Sequence, residues 1–157
     1  MKDGDTFQNT IPTEIGLLTQ LNELNITFNN KLQSSSIPTE IGLLTKLTAI
    51  KLHGNDLQGT IPTEIGLLSN QLVELYLYRN KLVGTIPTEI QLLSNLGVLW
   101  LHFNDLNDNV NEILCNPNDN FASISSDRFV NLYSIAADCT DTENNRIICD
   151  CCLPYCE

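Results

Sequence analysis

The feature that most constrains the fold is a ten-residue phrase that occurs four times. Its tetrad Ile-Pro-Thr-Glu begins at Ile11, Ile37, Ile61 and Ile86, at intervals of 26, 24 and 25 residues. Periods of this length are typical of solenoids, in which each repeat forms one coil and stacks on the next. A single coil cannot bury its apolar side alone, so neighbouring coils must pack together. The sequence therefore predicts a solenoid of about four to five coils over residues 1–113.

A second pattern, Leu-x-x-Leu-x-Leu-x-x-Asn-x-Leu, follows each tetrad. Its clearest copies span Leu47 to Leu57, Leu72 to Leu82 and Leu96 to Leu106. The Leu-x-Leu core alternates with period two, which predicts a short strand with its leucines inward and the intervening residues outward. The asparagine is expected to bond backbone groups of the turn and to form a ladder through the stack.

Together the two patterns resemble the plant-type extracellular leucine-rich repeat over about residues 5–113. The near-identical IPTEIGLL copies and the Cys-rich end are most similar in style to secreted leucine-rich-repeat proteins of diatom-like algae. The resemblance implies an α/β-type solenoid with a parallel sheet on its concave face and 3-10 or irregular segments on its convex face. It also implies a protein or peptide ligand on the concave face, and an extracellular or cell-surface location.

The two ends of the chain depart from the repeat. The segment from Asp5 to Ile11 aligns with the segment from Asn55 to Ile61, so the chain begins in the middle of a coil, without an N-terminal cap or a signal peptide. Because solenoids need caps, we interpret the chain as N-terminally truncated. Residues 114–157 lose the period and are predicted to form a C-terminal cap.

All six cysteines lie in the last third of the chain. An even, clustered set indicates disulfides and an oxidising compartment. Four thiolates of the ending CDCCLPYC could instead hold zinc, but the adjacent pair Cys151 and Cys152 fits no common zinc knuckle. Disulfides are therefore favoured, no metal or other cofactor is predicted, and the pairing stays open among the six candidates: Cys115, Cys139, Cys149, Cys151, Cys152 and Cys156.

The charge of the chain excludes several partners. The chain carries 8 basic and 19 acidic residues, a net charge of −11. Phosphate backbones bind through Lys and Arg, so nucleic acid is not an expected partner, and anionic membrane surfaces are disfavoured for the same reason. No apolar run approaches the roughly 18 to 20 residues of a membrane span. We expect a monomer that makes no contact with a membrane.

The candidate recognition site lies at the outward positions of the predicted strands. Stacked strands lie about 4.8 Å apart, so equivalent residues form columns, and the aromatic ones gather in the last coils. Tyr and Trp are favoured at binding surfaces, although ordinary strand propensity also favours aromatics. The predicted ligand-binding residues are Tyr76, Tyr78, Trp100 and His102 as anchors, with His53 and Arg79 as polar partners and Phe103 beside them. A glycan is a second ligand class for this face.

No residue constellation indicates an enzyme. The histidines His53 and His102 fall two coils apart, roughly 10 Å by strand spacing, which is too far to share a metal. No nucleophile has a base partner, and no catalytic residue is predicted.

Three features leave alternatives open. Stacked threonines could form an ice-binding or structural face, although repeats also duplicate their solvated positions: one rank is Thr13, Thr39, Thr63 and Thr88, and the second is Thr10, Ser36, Thr60 and Thr85. The chain could also be an ectodomain fragment of a receptor kinase. Finally, Asn25-Ile26-Thr27 is a glycosylation sequon whose glycan would crowd the concave face.

Overall fold

The structure is a computed structural model that describes residues 10–29, 32 and 35–107. Over this part of the chain, four parallel strands form the main sheet in the order β1 (Glu23–Asn25), β2 (Ala49–Lys51), β3 (Glu74–Tyr76) and β5 (Val98–Trp100). A second parallel sheet pairs β4 (Val83–Gly84) with β6 (Asp105–Leu106). Four 3-10 helices alternate with the strands: η1 (Thr13–Leu17), η2 (Thr39–Leu43), η3 (Thr63–Leu68) and η4 (Thr88–Leu92). The predicted leucine-rich-repeat solenoid is therefore confirmed.

Each 3-10 helix begins directly after the proline of the repeated phrase. These prolines have φ between −72° and −63° and extended ψ. The pyrrolidine ring fixes φ near −65° and removes a backbone donor, which suits the residue before a helical turn. The proline carbonyl then accepts the first bond of the turn, as from Ile41 N to Pro38 O at 3.1 Å. The Ile-Pro segment thus turns the chain from the second sheet into the convex side.

The core is a continuous row of leucine and isoleucine side chains between the main sheet and the 3-10 helices. Each strand contributes one inward residue from its centre, and the helices contribute the isoleucine that follows the tetrad. Ile15 of the first helix is only partly buried, and the others are buried: Leu24, Ile50, Leu75 and Leu99 from the strands, and Ile41, Ile65 and Ile90 from the helices. The alternation predicted for Leu-x-Leu is present.

Buried asparagines link each coil to the one before it. Asn80 Nδ2 donates to the carbonyl of Leu77 in its own coil at 2.8 Å and to that of Leu52 in the preceding coil at 3.0 Å. Asn80 Oδ1 accepts a bond from Leu57 N at 3.2 Å. Asn55 and Asn104 repeat the two donated bonds, and their Oδ1 atoms accept from Asn29 N and Leu82 N, respectively. The predicted asparagine ladder is therefore present in these coils.

A buried serine lies just before the second copy of the tetrad. Ser35 is 1% exposed, and its Oγ accepts a hydrogen bond from the backbone of Ile11 at 2.9 Å. This segment is thereby tied to the preceding coil. The predicted cap over residues 114–157 and its six cysteines lie outside the described residues.

Among the described residues, no helix has the length and apolar character that crossing a bilayer requires.

Glycines let the 3-10 helices approach each other closely. A Cβ placed on Gly42 would lie 2.6 Å from Glu64 O and 2.9 Å from Glu64 Cβ in the next coil. Gly16 and Gly66 meet the following coil in a similar way. Because backbone atoms cannot move aside as a flexible side chain can, the glycine after the tetrad sets the spacing of the convex face. At the corresponding position of η4 the chain has Gln91.

The substitution Gly42→Ala tests this spacing. We expect it to lower the free energy of unfolding by about 2 kcal/mol, because overpacking forces backbone shifts. The measurement is urea unfolding followed by circular dichroism. Gly97→Ala is the matched control, since its added Cβ would meet nothing nearer than 3.8 Å, and we expect a change within about 0.5 kcal/mol. Equal effects of the two substitutions would contradict the role of Gly42 as a spacer.

Candidate recognition site on the concave sheet

The register of the main sheet places the predicted residues in columns. The Cα pairs Asn25↔Lys51, Lys51↔Tyr76 and Tyr76↔Trp100 define what we call the strand column. Two residues further on, the outward positions form the ring column: Thr27, His53, Tyr78 and His102. The residues that follow form the turn column: Phe28, Gly54, Arg79 and Phe103. Backbone bonds such as Arg79 N to His102 O, 3.0 Å, continue the pairing beyond the strands.

The ring column is a face-to-face stack. The ring centroids of His53 and Tyr78 lie 4.4 Å apart with an interplanar angle of 10°. Tyr78 and His102 lie 4.7 Å apart, also at 10°. Phe28 meets His53 edge-on at 5.2 Å, and Phe103 meets His102 at 5.0 Å. The ring faces inside the column are therefore occupied, and the rings can offer a ligand mainly their edges.

The strand column adds two aromatic rings beside this stack. Tyr76 and Trp100 form a T-shaped pair with centroids 5.0 Å apart and an angle of 81°. Trp100 also lies 5.3 Å from Tyr78 and 5.9 Å from His102. Such pairs are favourable beyond the area they bury. We call the five rings, His53, Tyr76, Tyr78, Trp100 and His102, the aromatic patch.

The turn column holds its side chains at the margin of the patch. All four of its residues have left-handed backbone conformations, with φ of 49° at Phe28, 69° at Gly54, 54° at Arg79 and 57° at Phe103. Phe103 is 55% exposed, and its ring centroid lies 5.6 Å from the guanidinium carbon of Arg79. All seven residues predicted to bind a ligand thus lie on one continuous surface, and their role in binding stays a prediction.

An ion cluster borders the patch where the strands begin. Lys51 Nζ lies 3.0 Å from Glu23 and 3.2 Å from Glu74. The hydrogen bond to Glu23, and then the one to Glu74, raises the pKa of Lys51. Burial, followed by Glu74, raises the pKa of Tyr76, so its hydroxyl keeps its proton at neutral pH.

The predicted glycosylation residue lies next to this border. Asn25 is exposed, and its Nδ2 donates to Glu23 at 3.5 Å. A glycan at this position would stand beside the ion cluster, three coils away from Trp100. Glycosylation of Asn25 stays a prediction.

The comparisons with known proteins point to one family. The family model described as Leucine Rich Repeat matches residues 71–93. The chain is also similar to the solved structure of the BIR3–SERK2 complex from Arabidopsis thaliana, with 36% identity and a TM-score of 0.57 over 63% of this chain and 52% of that chain. The chain is a leucine-rich-repeat protein of the plant type.

Two further structures resemble this leucine-rich-repeat protein. A plant ice-binding protein has 34% identity and a TM-score of 0.59 over 66% of this chain and 33% of that chain. The Arabidopsis receptor kinase HAESA, solved with the peptide hormone IDA and the co-receptor SERK1, has 37% identity and a TM-score of 0.56 over 62% of this chain and 16% of that chain. The leucine-rich-repeat chain thus spans only part of each of these proteins. None of the curated proteins matches it significantly.

Sequence reasoning about the leucine-rich repeats missed three residues of the site. Glu23 and Glu74 hold Lys51, and Phe28 packs against His53. The alternation of the strands could have indicated the two glutamates, because each lies two residues before an outward position already assigned to the concave face. Phe28 occupies the same column as Arg79 and Phe103, and this position could have indicated it as a residue of the site.

The two histidines of this leucine-rich-repeat protein do not form a metal site in the described coils. Tyr78 lies between their rings, and within the described residues no group of three or more His, Cys, Asp or Glu side chains could hold a metal ion. His53 Nδ1 is buried and has no hydrogen-bond partner in this part of the chain. Burial, and then the charge of Lys51, lowers the pKa of His53 from its ordinary value of 6.5.

We therefore expect His53 to titrate below pH 6.5 in long-range proton–nitrogen NMR spectra. The stability that depends on neutral His53 is present above pH 6.5 and is lost as the pH falls through its lower folded-state pKa. Lys51→Gln should move the pKa upward, because it removes the second cause of the shift. The chain has two histidines, so the His102→Gln variant keeps only the imidazole signals of His53 and thereby assigns them. A His53 pKa above 6.5 would contradict the burial of its ring in this stack.

Proposed function

We propose that this chain is a non-enzymatic extracellular recognition module that binds a protein or peptide segment on its concave face. The observation that carries the proposal is the aromatic patch, five rings from three adjacent coils packed against one another on one open surface. Tyr and Trp supply large contact areas with a polar end, and they are enriched among the residues that dominate binding energies.

The packing of the patch supports a binding role physically. Ordering side chains at an interface costs about 0.5 to 1.5 kcal/mol for each flexible side chain. The stack of His53, Tyr78 and His102 already holds its rings in place, and the ion cluster holds Lys51. A ligand would therefore meet a surface whose side chains have little rotamer freedom left to lose.

The similar structures support the same class of function. HAESA was solved with a peptide hormone and a co-receptor, and the BIR3–SERK2 structure is itself a complex of two proteins. The other receptor structures include ectodomains, which supports an extracellular or cell-surface location for this chain. In one version of this proposal, the chain is an ectodomain fragment of a receptor kinase. The full-length open reading frame would test this version.

Alanine substitutions in the patch test the proposal. Trp100→Ala and Tyr76→Ala should each weaken binding of an identified ligand by 30-fold or more, because central aromatic residues typically contribute about 2 kcal/mol or more. A ligand is first captured from the native extracellular medium on immobilised protein, and affinities are then measured by calorimetry. Thr88→Ala is the control, since Thr88 is exposed on the convex side and its hydroxyl donates to its neighbour Glu89. Unchanged affinity in both aromatic variants would place the site elsewhere.

Ice binding is the second candidate function, favoured by the similarity to a plant ice-binding protein. The hydroxyls of one predicted rank, Thr13, Thr39, Thr63 and Thr88, each donate to the following glutamate at 3.3–3.4 Å. The hydroxyls of this rank are thus engaged with charged groups. The described residues of the second rank, Thr10, Ser36, Thr60 and Thr85, are all exposed.

An ice-shaping assay separates the two candidates. If ice binding is the function, crystals grown with the wild-type protein are faceted, and Thr63→Tyr abolishes the faceting because its ring breaks the spacing of the rank. Trp100→Ala should keep the faceting, since Trp100 lies on the concave face. Round crystals with the wild-type protein would remove this candidate and leave concave-face recognition.

A further inference from the structure

We propose that the aromatic patch selects an anionic segment of its ligand, one that carries carboxylates, and that acidification strengthens this binding. The proposal rests on the recognition function above, because it names the chemistry of the ligand held at the same face. Four features of the described coils support it.

The first feature is that three acidic groups near the patch are already paired. Glu23 and Glu74 both contact Lys51. Further along the same coils, Asp56 Oδ1 lies 3.0 Å from Lys81 Nζ. These carboxylates would have to give up an ion pair to bind a cationic ligand. Intramolecular pairing therefore reduces the attraction that the acidic side of the concave face offers to a basic segment.

The second feature is Arg79. It is exposed and makes no ion pair with any residue that the structure describes, and its guanidinium lies by the ring of Phe103. A guanidinium that rests against an aromatic ring keeps its N–H edges available for a bidentate bond to a carboxylate. Arg79 is thus placed at the margin of the patch with its charge unneutralised by neighbouring side chains.

The third feature is the orientation of the stacked rings. An aromatic ring has a negative face and a positive edge. In the ring column the faces of His53, Tyr78 and His102 are turned toward one another, so the edges remain for a ligand. Ring edges and the hydroxyls of Tyr76 and Tyr78 complement an acceptor-rich ligand better than a cation, which prefers a ring face.

The fourth feature is His53, which can add a positive charge. The groups around it are Phe28 from the turn after β1, Lys51 from β2, and Tyr76 and Tyr78 from β3 and its continuation. Glu23 and Glu74 lie beyond Lys51 and are bound to it. Protonation of His53 adds a positive charge to the patch, and a bound carboxylate favours that protonated form. Affinity should therefore rise as the pH falls below 6.5.

The overall charge of the chain makes the inference easy to test. A protein with a net charge of −11 repels acidic peptides at long range, although salt screens exposed charges beyond about 8 Å at physiological ionic strength. Non-specific attraction would therefore enrich basic peptides. Enrichment of acidic peptides requires a local site.

The experiment is selection from a random dodecapeptide library displayed on phage, against the wild-type chain and against Trp100→Ala. Peptides retained only by the wild-type chain are synthesised with blocked ends, so that only side-chain carboxylates contribute, and are compared with free-ended copies. Affinities are measured at pH 7.5 and 5.5 from the fluorescence of Trp100, the single tryptophan of the chain. We expect acidic peptides whose affinity is about fivefold higher at pH 5.5.

Matched variants test which side chains supply the positive charge that binds the peptide. Arg79→Gln should weaken binding of the selected acidic peptides about tenfold or more, since charge-assisted bonds contribute about 1.5 to 3 kcal/mol. Lys81→Gln removes the same charge from the same coil but at a lysine already paired with Asp56, and the affinity should change less than twofold. His53→Gln should abolish the rise at pH 5.5.

The outcomes separate this inference from the proposed function. Neutral or basic peptides that need Trp100 would overturn the anionic selectivity and leave recognition by the aromatic patch standing. Acidic peptides that bind Arg79→Gln as well as wild type would also overturn the inference, as would binding that depends only on a free carboxyl terminus. If no peptide distinguishes the wild-type chain from Trp100→Ala, peptide recognition itself is wrong, and the inference falls with it.

Discussion

The rest of the structure depends on the asparagines that bond neighbouring coils to one another in the described part of the chain. Asn80 bonds carbonyls of two coils at once and accepts a third bond from a backbone N–H. A buried polar group left without its partner costs about 1 to 3 kcal/mol, so a coil that slipped by one residue would lose several such bonds together. This ladder fixes the register of the coils, and the register in turn aligns the columns of the concave face.

The repeated phrase and the varied positions have different tasks. In IPTEIGLL, the proline precedes the 3-10 helix and caps it, the second isoleucine packs in the core, and the glycine allows the next coil to approach closely. The outward strand positions differ from coil to coil and hold the aromatic patch. The phrase that dominates the sequence therefore builds the frame, while the candidate site uses residues that the repeat leaves unspecified.

The coil period, the inward leucines, the asparagine ladder and the concave columns could all be predicted from sequence, because each follows from spacing along a single coil. The stack of His53, Tyr78 and His102, the bonds of Lys51 to two glutamates and the packing of Phe28 could not. These arrangements depend on rotamers, and a rotamer depends on side chains one coil away, at about 25 residues' distance in the sequence. The threonine bonds also depend on rotamers, although each partner is the next residue in the sequence, and the spacing of the repeat does not specify them.

In the turn column, backbone strain at positive φ is accepted at positions that carry large exposed side chains. Glycine adopts φ near +60° without strain, but other residues lose roughly 1 to 2 kcal/mol there. In the described coils only Gly54 occupies the column as a glycine, whereas Phe28, Arg79 and Phe103 carry large side chains at φ of 49°, 54° and 57°. A consensus solenoid with glycine throughout this column would have a less strained backbone, but the turn column would carry no side chains. Engineering the chain for stability at these positions would therefore erase the side chains that distinguish one coil from another.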